Sequence, residues 1–264
     1  MLINKQKFKV KRYSSGEMKL CFEDLNKYII DNKVEIIYNN EESIFELFII
    51  INYYKDIGTD VSLVLSYLPY QRMDHINNIE VQTLKYVAKL INNLNLDKVI
   101  ICEPHSDIDM INNSEKISYI EKILPIVYKE INFNYQKDVL LFTDKGSVRR
   151  YSYLAKNYVY AEKTRDLKTG LISSYNMIGD IKPNQKVVIV DDIISTGDTI
   201  CECIEQIKTN NEVYIVCGHY EKNKYNLRLQ KNNRVKKIFS TNSLTKRQTR
   251  KLKLYKVEDI IWLI

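Results

Sequence analysis

The chain has 264 residues, of which 28% are charged and 45% hydrophobic, and it carries a formal charge of +7. That length and balance specify a folded protein of one large or two smaller domains and exclude a disordered chain. No apolar run is long and uninterrupted enough to span a bilayer, and "MLINKQKFKVKRYSSGE" has no secretory apolar core, so a cytoplasmic protein with no membrane partner is expected.

In chain order, short β-rich runs alternate with amphipathic stretches of helical period. "VEIIY" precedes "ESIFELFIIINYYK", "VSLVLSY" precedes "VQTLKYVAKLI", and "KVIIC" precedes "KISYIEKILPIVYKEI". The rhythm resumes with "DVLLFT", "SVRRYSYLAKN", "YVYAE", "KVVIVDD", "TICECIEQIK" and "EVYIVCG". This βαβ alternation predicts an α/β protein with parallel sheets flanked by helices. About nine strand candidates are better shared between two sheets than forced into one. A boundary between Ile117 and Tyr128 divides the chain into domains 1–118 and 119–264.

Five cysteines, an odd number without framework spacing, fit a reducing compartment, and Cys201 and Cys203 read as buried thiols of a helix. Much of the positive charge sits in "NKYNLRLQKNNRVKK" and "TKRQTRKLKLYK". A solvated basic face, or attraction of phosphorylated small molecules, accounts for it; there is no recognition motif or stacking platform for nucleic acid.

In open parallel sheets, ligands sit beyond the carboxyl ends of the strands. Five polar segments follow apolar runs: "PYQRMDH", "EPHSDID", "TDKGSVRR", "EKTRD" and "DDIISTGDT". The last stands between a strand and a helix beginning near Thr199. Free N–H groups at such a start bind anions. Ser195, Thr196 and Thr199 add hydroxyls, and Gly197 lets backbone approach a phosphate. Asp191 and Asp192 suit a ribose diol, directly or through Mg²⁺. Neither a Walker loop nor a G-x-G-x-x-G turn is present. An acidic cap on an ordinary βα turn is the alternative for this stretch taken alone.

"KVVIVDDIISTGDT" resembles the phosphoribosyl-diphosphate (PRPP) binding motif of type I phosphoribosyltransferases and PRPP synthetases. Four other segments, in family order, resemble the synthetases: "YLPYQRMD" is similar to their ATP-contacting P-Y-x-R-x-D, "EPHSD" to D-L-H-x-x, "TDKGSVRR" to P-D-x-G-x-x-[KR]-R, and "AEKTR" to H-K-x-R. "KRYSSGE" resembles the K-x-F-x-x-x-E segment that reaches a neighbouring subunit's ATP site. The resemblance implies two type I phosphoribosyltransferase-like domains and transfer of the β,γ-diphosphate of ATP to the C1 hydroxyl of a ribose phosphate, releasing AMP. It implies catalytic Lys163 and Arg165, an ATP site of Tyr13, Ser15, Glu17, Arg72, Asp74 and His105, and Mg²⁺ near His105 and Asp144. Asp191, Asp192, Ser195, Thr196, Gly197, Asp198 and Thr199 would bind the ribose phosphate. A homodimer or higher homo-oligomer sharing the ATP site follows.

Departures bear on the acceptor. Asp198 stands where the family usually has Gly, and a carboxylate there disfavours a dianionic monoester such as ribose 5-phosphate. Phage relatives in NAD salvage are understood to use ADP-ribose at the same hydroxyl, so both acceptors stand. Competing readings are a non-catalytic regulatory paralogue and a PRPP-consuming transferase, the latter leaving "PYQRMD" unexplained.

Overall fold

The computed structural model describes residues 1–40, 43–75, 80–165, 172–221 and 227–262, with no side-chain description at 163–165, 172–175 and 227. It divides into two compact units, Met1–Ser118 and Tyr119–Ile264.

The first unit opens with β1 (Leu2–Ile3) and β2 (Gln6–Lys7), then a separate hairpin of β3 (Lys11–Arg12) and β4 (Met18–Lys19). There follow α1 (Phe22–Asn26), β5 (Lys33–Tyr38), α2 (Ile44–Asp56), β6 (Asp60–Leu65), α3 (Thr83–Asn92), β7 (Lys98–Cys102) and β8 (Ser114–Ile117). The sheet order is β2-β1-β5-β6-β7-β8; β5 to β8 are parallel and β1 is antiparallel to β5. Ile36, Leu63, Leu65 and Ile101 are fully buried, as parallel strands covered by helices require. Asn4 staples the sheet's first edge, its Oδ1 accepting from the Glu35 N–H at 2.7 Å and its Nδ2 donating to the Tyr28 carbonyl at 2.6 Å.

A capping box starts α2. Ser43 Oγ accepts from the Glu46 N–H at 3.2 Å, and Glu46 Oε2 accepts from the Ser43 N–H at 3.4 Å. The same carboxylate accepts from Nη1 and Nη2 of Arg12 in the β3–β4 hairpin, which holds Glu46 below the usual carboxylate range. Ser43→Ala is expected to cost about 1 kcal/mol. Chemical denaturation would register it as a lower midpoint with an unchanged slope.

The second unit comprises α4 (Tyr119–Ile131), β9 (Val139–Phe142), α5 (Lys145–Tyr151), β10 (Tyr158–Arg165), β11 (Ile172–Ile178), β12 (Lys186–Ile194), α6 (Asp198–Gln206), β13 (Glu212–Tyr220), α7 (Leu227–Lys231), β14 (Val235–Thr241), β15 (Leu252–Tyr255) and α8 (Val257–Ile261). Its sheet runs β11-β10-β9-β12-β13-β14-β15, parallel except for β11 against β10. From β9 the chain builds outward to β10 and β11, then returns to lay β12 on β9's other side and builds the opposite way. The switch point therefore lies between β9 and β12.

Two expectations need correction. "KIS" is not the start of a helix: Lys116 and Ile117 pair in β8, and α4 begins at Tyr119, because the sheet edge beside β7 claims their backbone groups. The described residues also form more strands than nine, since β1 to β4 and β8 are too short, and β11, β14 and β15 too polar, to stand out by hydrophobicity. Part of the basic tail lies in β14 and β15, with its lysines still partly exposed. Lys237 and Lys253 both bond the carboxylate of Glu130, at 2.8 and 2.5 Å. Arg234 closes the end of α6 by donating to the carbonyls of Ile204 and Ile207 at 2.8 and 3.0 Å. Cys201 and Cys203 are buried in α6. His219 is buried too, 2.8 Å from Ser243 Oγ and edge-on to Tyr119.

Candidate active site

In the first unit the candidate residues lie on two loops and a hairpin. Beyond β6, the segment from Ser66 to Asp74 carries Arg72, which is exposed, and Asp74, whose side chain is 3.6 Å from the His75 ring. Beyond β7, Glu103 to Asp107 carries a half-buried His105. Tyr70 (φ 62°) and Glu103 (φ 45°) occupy the left-handed region. Among described non-glycine residues there, all but these two and Lys5 are Asn or Asp. Such backbone is costly for other side chains and is retained where loops are held by their surroundings. Here Glu103 is buried and accepts from Ser118 Oγ at 3.1 Å, while Gln71 accepts the His105 N–H at 3.0 Å.

Tyr13, Ser15 and Glu17 form the exposed turn of the β3–β4 hairpin. It is closed by Tyr13 N–H to the Glu17 carbonyl at 2.9 Å and Ser15 Oγ to Glu17 Oε2 at 2.9 Å. Tyr13 keeps 55% of its surface in solvent, with Lys19 5.5 Å from its ring. This is a displayed turn, not a packed one.

In the second unit, the switch point gathers charge. β9 pairs with β12 up to Phe142 and Val190, so Thr143–Asp144, which leave β9, stand beside Asp191–Asp192, which continue in β12 against β13. Asp144 caps α5, its Oδ1 accepting the Ser147 N–H at 2.8 Å. Ser147 Oγ lies 2.9 Å from Thr143 Oγ1 and donates to Asp191 Oδ1 at 3.3 Å. Asp192, 1% exposed, accepts from Arg150 Nη2 at 2.7 Å.

Burial, then the charges of Asp192 and Asp144, hold Asp191 well above the usual carboxylate range despite Arg150. Burial is the largest single influence and works against Arg150's charge, but Asp192 together with Tyr151, Asp191 and Asp144 outweighs it and holds the guanidinium above its usual range. Gly146 is confined here: an added Cβ would come within 3.1 Å of Asp144 Oδ1 and 3.5 Å of Arg150 Nη1.

Past Ile194 the turn Ser195–Thr196–Gly197 leads into α6. Gly197 sits at φ 83°, the left-handed conformation glycine takes without strain, and is the helix N-cap. Thr196 Oγ1 accepts the Asp198 N–H at 3.4 Å. Ser195 Oγ donates to the carboxylate of Glu221 at the end of β13, so its hydroxyl proton is committed to an acid. Asp198 is exposed, 3.9 Å from Arg228 Nη1. Thr199 lies in the first turn of α6.

Lys163 and Arg165 belong to β10, paired in register with Tyr175 and Ile172 of β11, with a register shift between Thr164 and Arg165. Their side chains, and residues 166–171 between the two strands, lie outside the described residues, as does most of "HINNIE". Among the described residues no three His, Cys, Asp or Glu are gathered to hold a metal ion, so neither His105 nor Asp144 belongs to a ready-made metal cage.

The sequence reading gave no role to Gln71, Ser147 or Glu221. "TDKGSVRR" pointed to the right turn, but Arg150's pairing with Asp192 spans 42 positions and has no local signature.

The phosphoribosyl transferase domain family matches residues 107–247, more than half the chain. The chain belongs to this family. Its curated relatives are named ribose-phosphate pyrophosphokinase. It is 28% identical over 176 residues to the Sulfurisphaera tokodaii protein, covering 64% of this chain and 60% of the relative. It is 27% identical over 237 residues to that of Sulfolobus acidocaldarius, covering 84% and 78%. With the Staphylococcus epidermidis protein it is 26% identical over 260 residues, covering 93% and 79%. The chain thus spans about three fifths of the length of the Sulfurisphaera relative and of the Saccharolobus solfataricus one, 60% and 58%. A solved phosphoribosylpyrophosphate synthetase from Mycobacterium smegmatis has the same fold, with a TM-score of 0.75 at 18% identity over 96% of this chain and 87% of that one.

Proposed function

We propose that the protein is an ATP-dependent diphosphotransferase that moves the β,γ-diphosphate of ATP to the C1 hydroxyl of a 5-phosphorylated ribose and releases AMP. The observation that carries this reading is the cluster of Asp144, Asp191, Asp192 and Arg150 at the switch point, one turn before a left-handed glycine that opens α6. Sugar hydroxyls need acceptors, and a phosphate needs free N–H groups; this edge offers both, side by side. The curated relatives' names support the same reading.

In this reading Asp191 and Asp192 accept from the ribose diol, Arg150 fixing Asp192's orientation. Thr196, Gly197 and Thr199 take the 5-phosphate, and Ser195 contributes when it leaves Glu221. Arg72, Asp74 and His105 serve ATP, with Tyr13, Ser15 and Glu17 of a second copy. Lys163 and Arg165 supply positive charge to the transferred phosphates, where positioning and electrostatics carry most of the catalysis. Mg²⁺ fits the donor set: with no three-residue cage among the described residues, it would rely on substrate phosphates, water and a side chain such as Asp144 or His105, its usual habit. When bound, it neutralises triphosphate charge.

Incubation with Mg·ATP and either ribose 5-phosphate or ADP-ribose, with products identified by mass, tests the reading. AMP and a diphosphorylated sugar are expected with one acceptor. Absence of AMP release with both would favour the non-catalytic paralogue. Asp198 bears on the choice: a unit charge about 4 Å from a phosphate is worth ~1 kcal/mol even in water. Asp198→Gly is therefore expected to lower the KM for ribose 5-phosphate about fivefold. An unchanged preference between acceptors would remove Asp198 from the account.

A further inference from the structure

We infer that Gln71 is a positioning residue that ties the two nucleotide-side loops of the first unit into one body. The inference rests on the proposed function for what those loops bind. Gln71 follows the left-handed Tyr70 and immediately precedes Arg72, yet it is 1% exposed while Arg72 stands in solvent. The backbone turns it inward, Gln71 N–H to the Leu68 carbonyl at 3.2 Å and Met73 N–H to the Tyr70 carbonyl at 2.9 Å. Its side chain then crosses to the next loop, where Oε1 accepts the His105 N–H at 3.0 Å, bridging 34 positions.

The orientation of the amide follows from that bond. An N–H can be met only by the carbonyl oxygen, so Nε2 must face the other way. There it is buried and has no hydrogen-bond partner. A buried amide with one end unsatisfied weakens the fold relative to an apolar side chain of similar shape. The residue is thus poor at stabilising its own surroundings and good at one thing, holding the His105 backbone against the turn that displays Arg72. Residues that break a local packing rule in this way are expected at functional loops. With Glu103 tied on its other side to Ser118, the loop from Glu103 to His105 is held at both ends. Arg72 and His105 therefore keep a fixed separation before any nucleotide arrives, which spares binding the cost of ordering them.

The test is Gln71→Met, which keeps length and removes the acceptor. The His105 amide should exchange its hydrogen about tenfold faster or more, while the Glu103 amide, bonded to the Ile117 carbonyl at 2.7 Å, stays protected. Affinity for Mg·ATP, measured by calorimetry without turnover, should fall about tenfold. Affinity for ribose 5-phosphate should hold, and the thermal midpoint should stay level or rise. A structural role alone would lower the midpoint and leave nucleotide affinity intact, which overturns the inference, as does an unchanged His105 amide. If the wild-type chain binds no Mg·ATP, the nucleotide role falls with the proposed function, and the tie is judged by the His105 amide alone.

Discussion

Lys163→Ala and Arg165→Ala are each expected to reduce AMP release at least a hundredfold at saturating substrates. In a diphosphoryl transfer, negative charge spreads over non-bridging oxygens as the bond to the leaving AMP weakens. A cation held there acts on the transition state more than on the ground state, and losing one such group costs about 3–4 kcal/mol. The backbone of both residues lies in the β10–β11 ladder, whose hydrogen bonds are indifferent to side-chain identity. The variants should therefore fold, and circular dichroism and thermal melting should match the wild type. Full turnover in either variant would strip that residue of its role.

Arg150→Met should have the largest effect on stability, about 3–5 kcal/mol, because it takes from the enclosed Asp192 carboxylate the guanidinium that faces it. Asp191 is already pushed up by burial and its acidic neighbours, so Arg150 is what keeps several carboxylates tolerable in one place. Adding Asp192→Asn removes the stranded charge, and the double variant should recover much of the loss in a denaturant titration. If the two substitutions simply add, Arg150 and Asp192 are not coupled in the way their 2.7 Å contact implies.

The strand end around Asp192 is a region the sequence marked well. Consecutive acids after "KVVIV", followed by hydroxyls and a glycine, announced a strand running into a helix start. β12, the left-handed Gly197 and α6 stand there. Most parallel strands and their covering helices were equally legible, because burial on both faces demands an unbroken apolar run and one-sided burial demands a 3.6-residue stripe. Legibility failed where pairing replaced hydrophobicity. β11 reads "ISSYNMI" and β15 "LKLY", and each is a strand because a neighbouring edge offers partners for its backbone. The basic tail stays largely solvated, but its sharing of Glu130 between Lys237 and Lys253 could not be read from the sequence.

The candidate site divides likewise. Residue types and their place after strands were written in the chain, since anion binding needs a glycine-bearing helix start and diol binding needs carboxylates. The same chain also carried the family, through the order of its motifs. Partnerships were not readable, because they join positions far apart: Arg150 with Asp192, Ser195 with Glu221, Gln71 with His105. What joins the first two is topology. Laying β12 beside β9, after the chain has already gone out to β11 and back, sets Asp144 next to Asp191 and Asp192 and makes Arg150 necessary. The sequence by itself determined which chemistry was present at each strand end; only the fold, by choosing strand neighbours, decided which charges must share one place and which groups offset the cost.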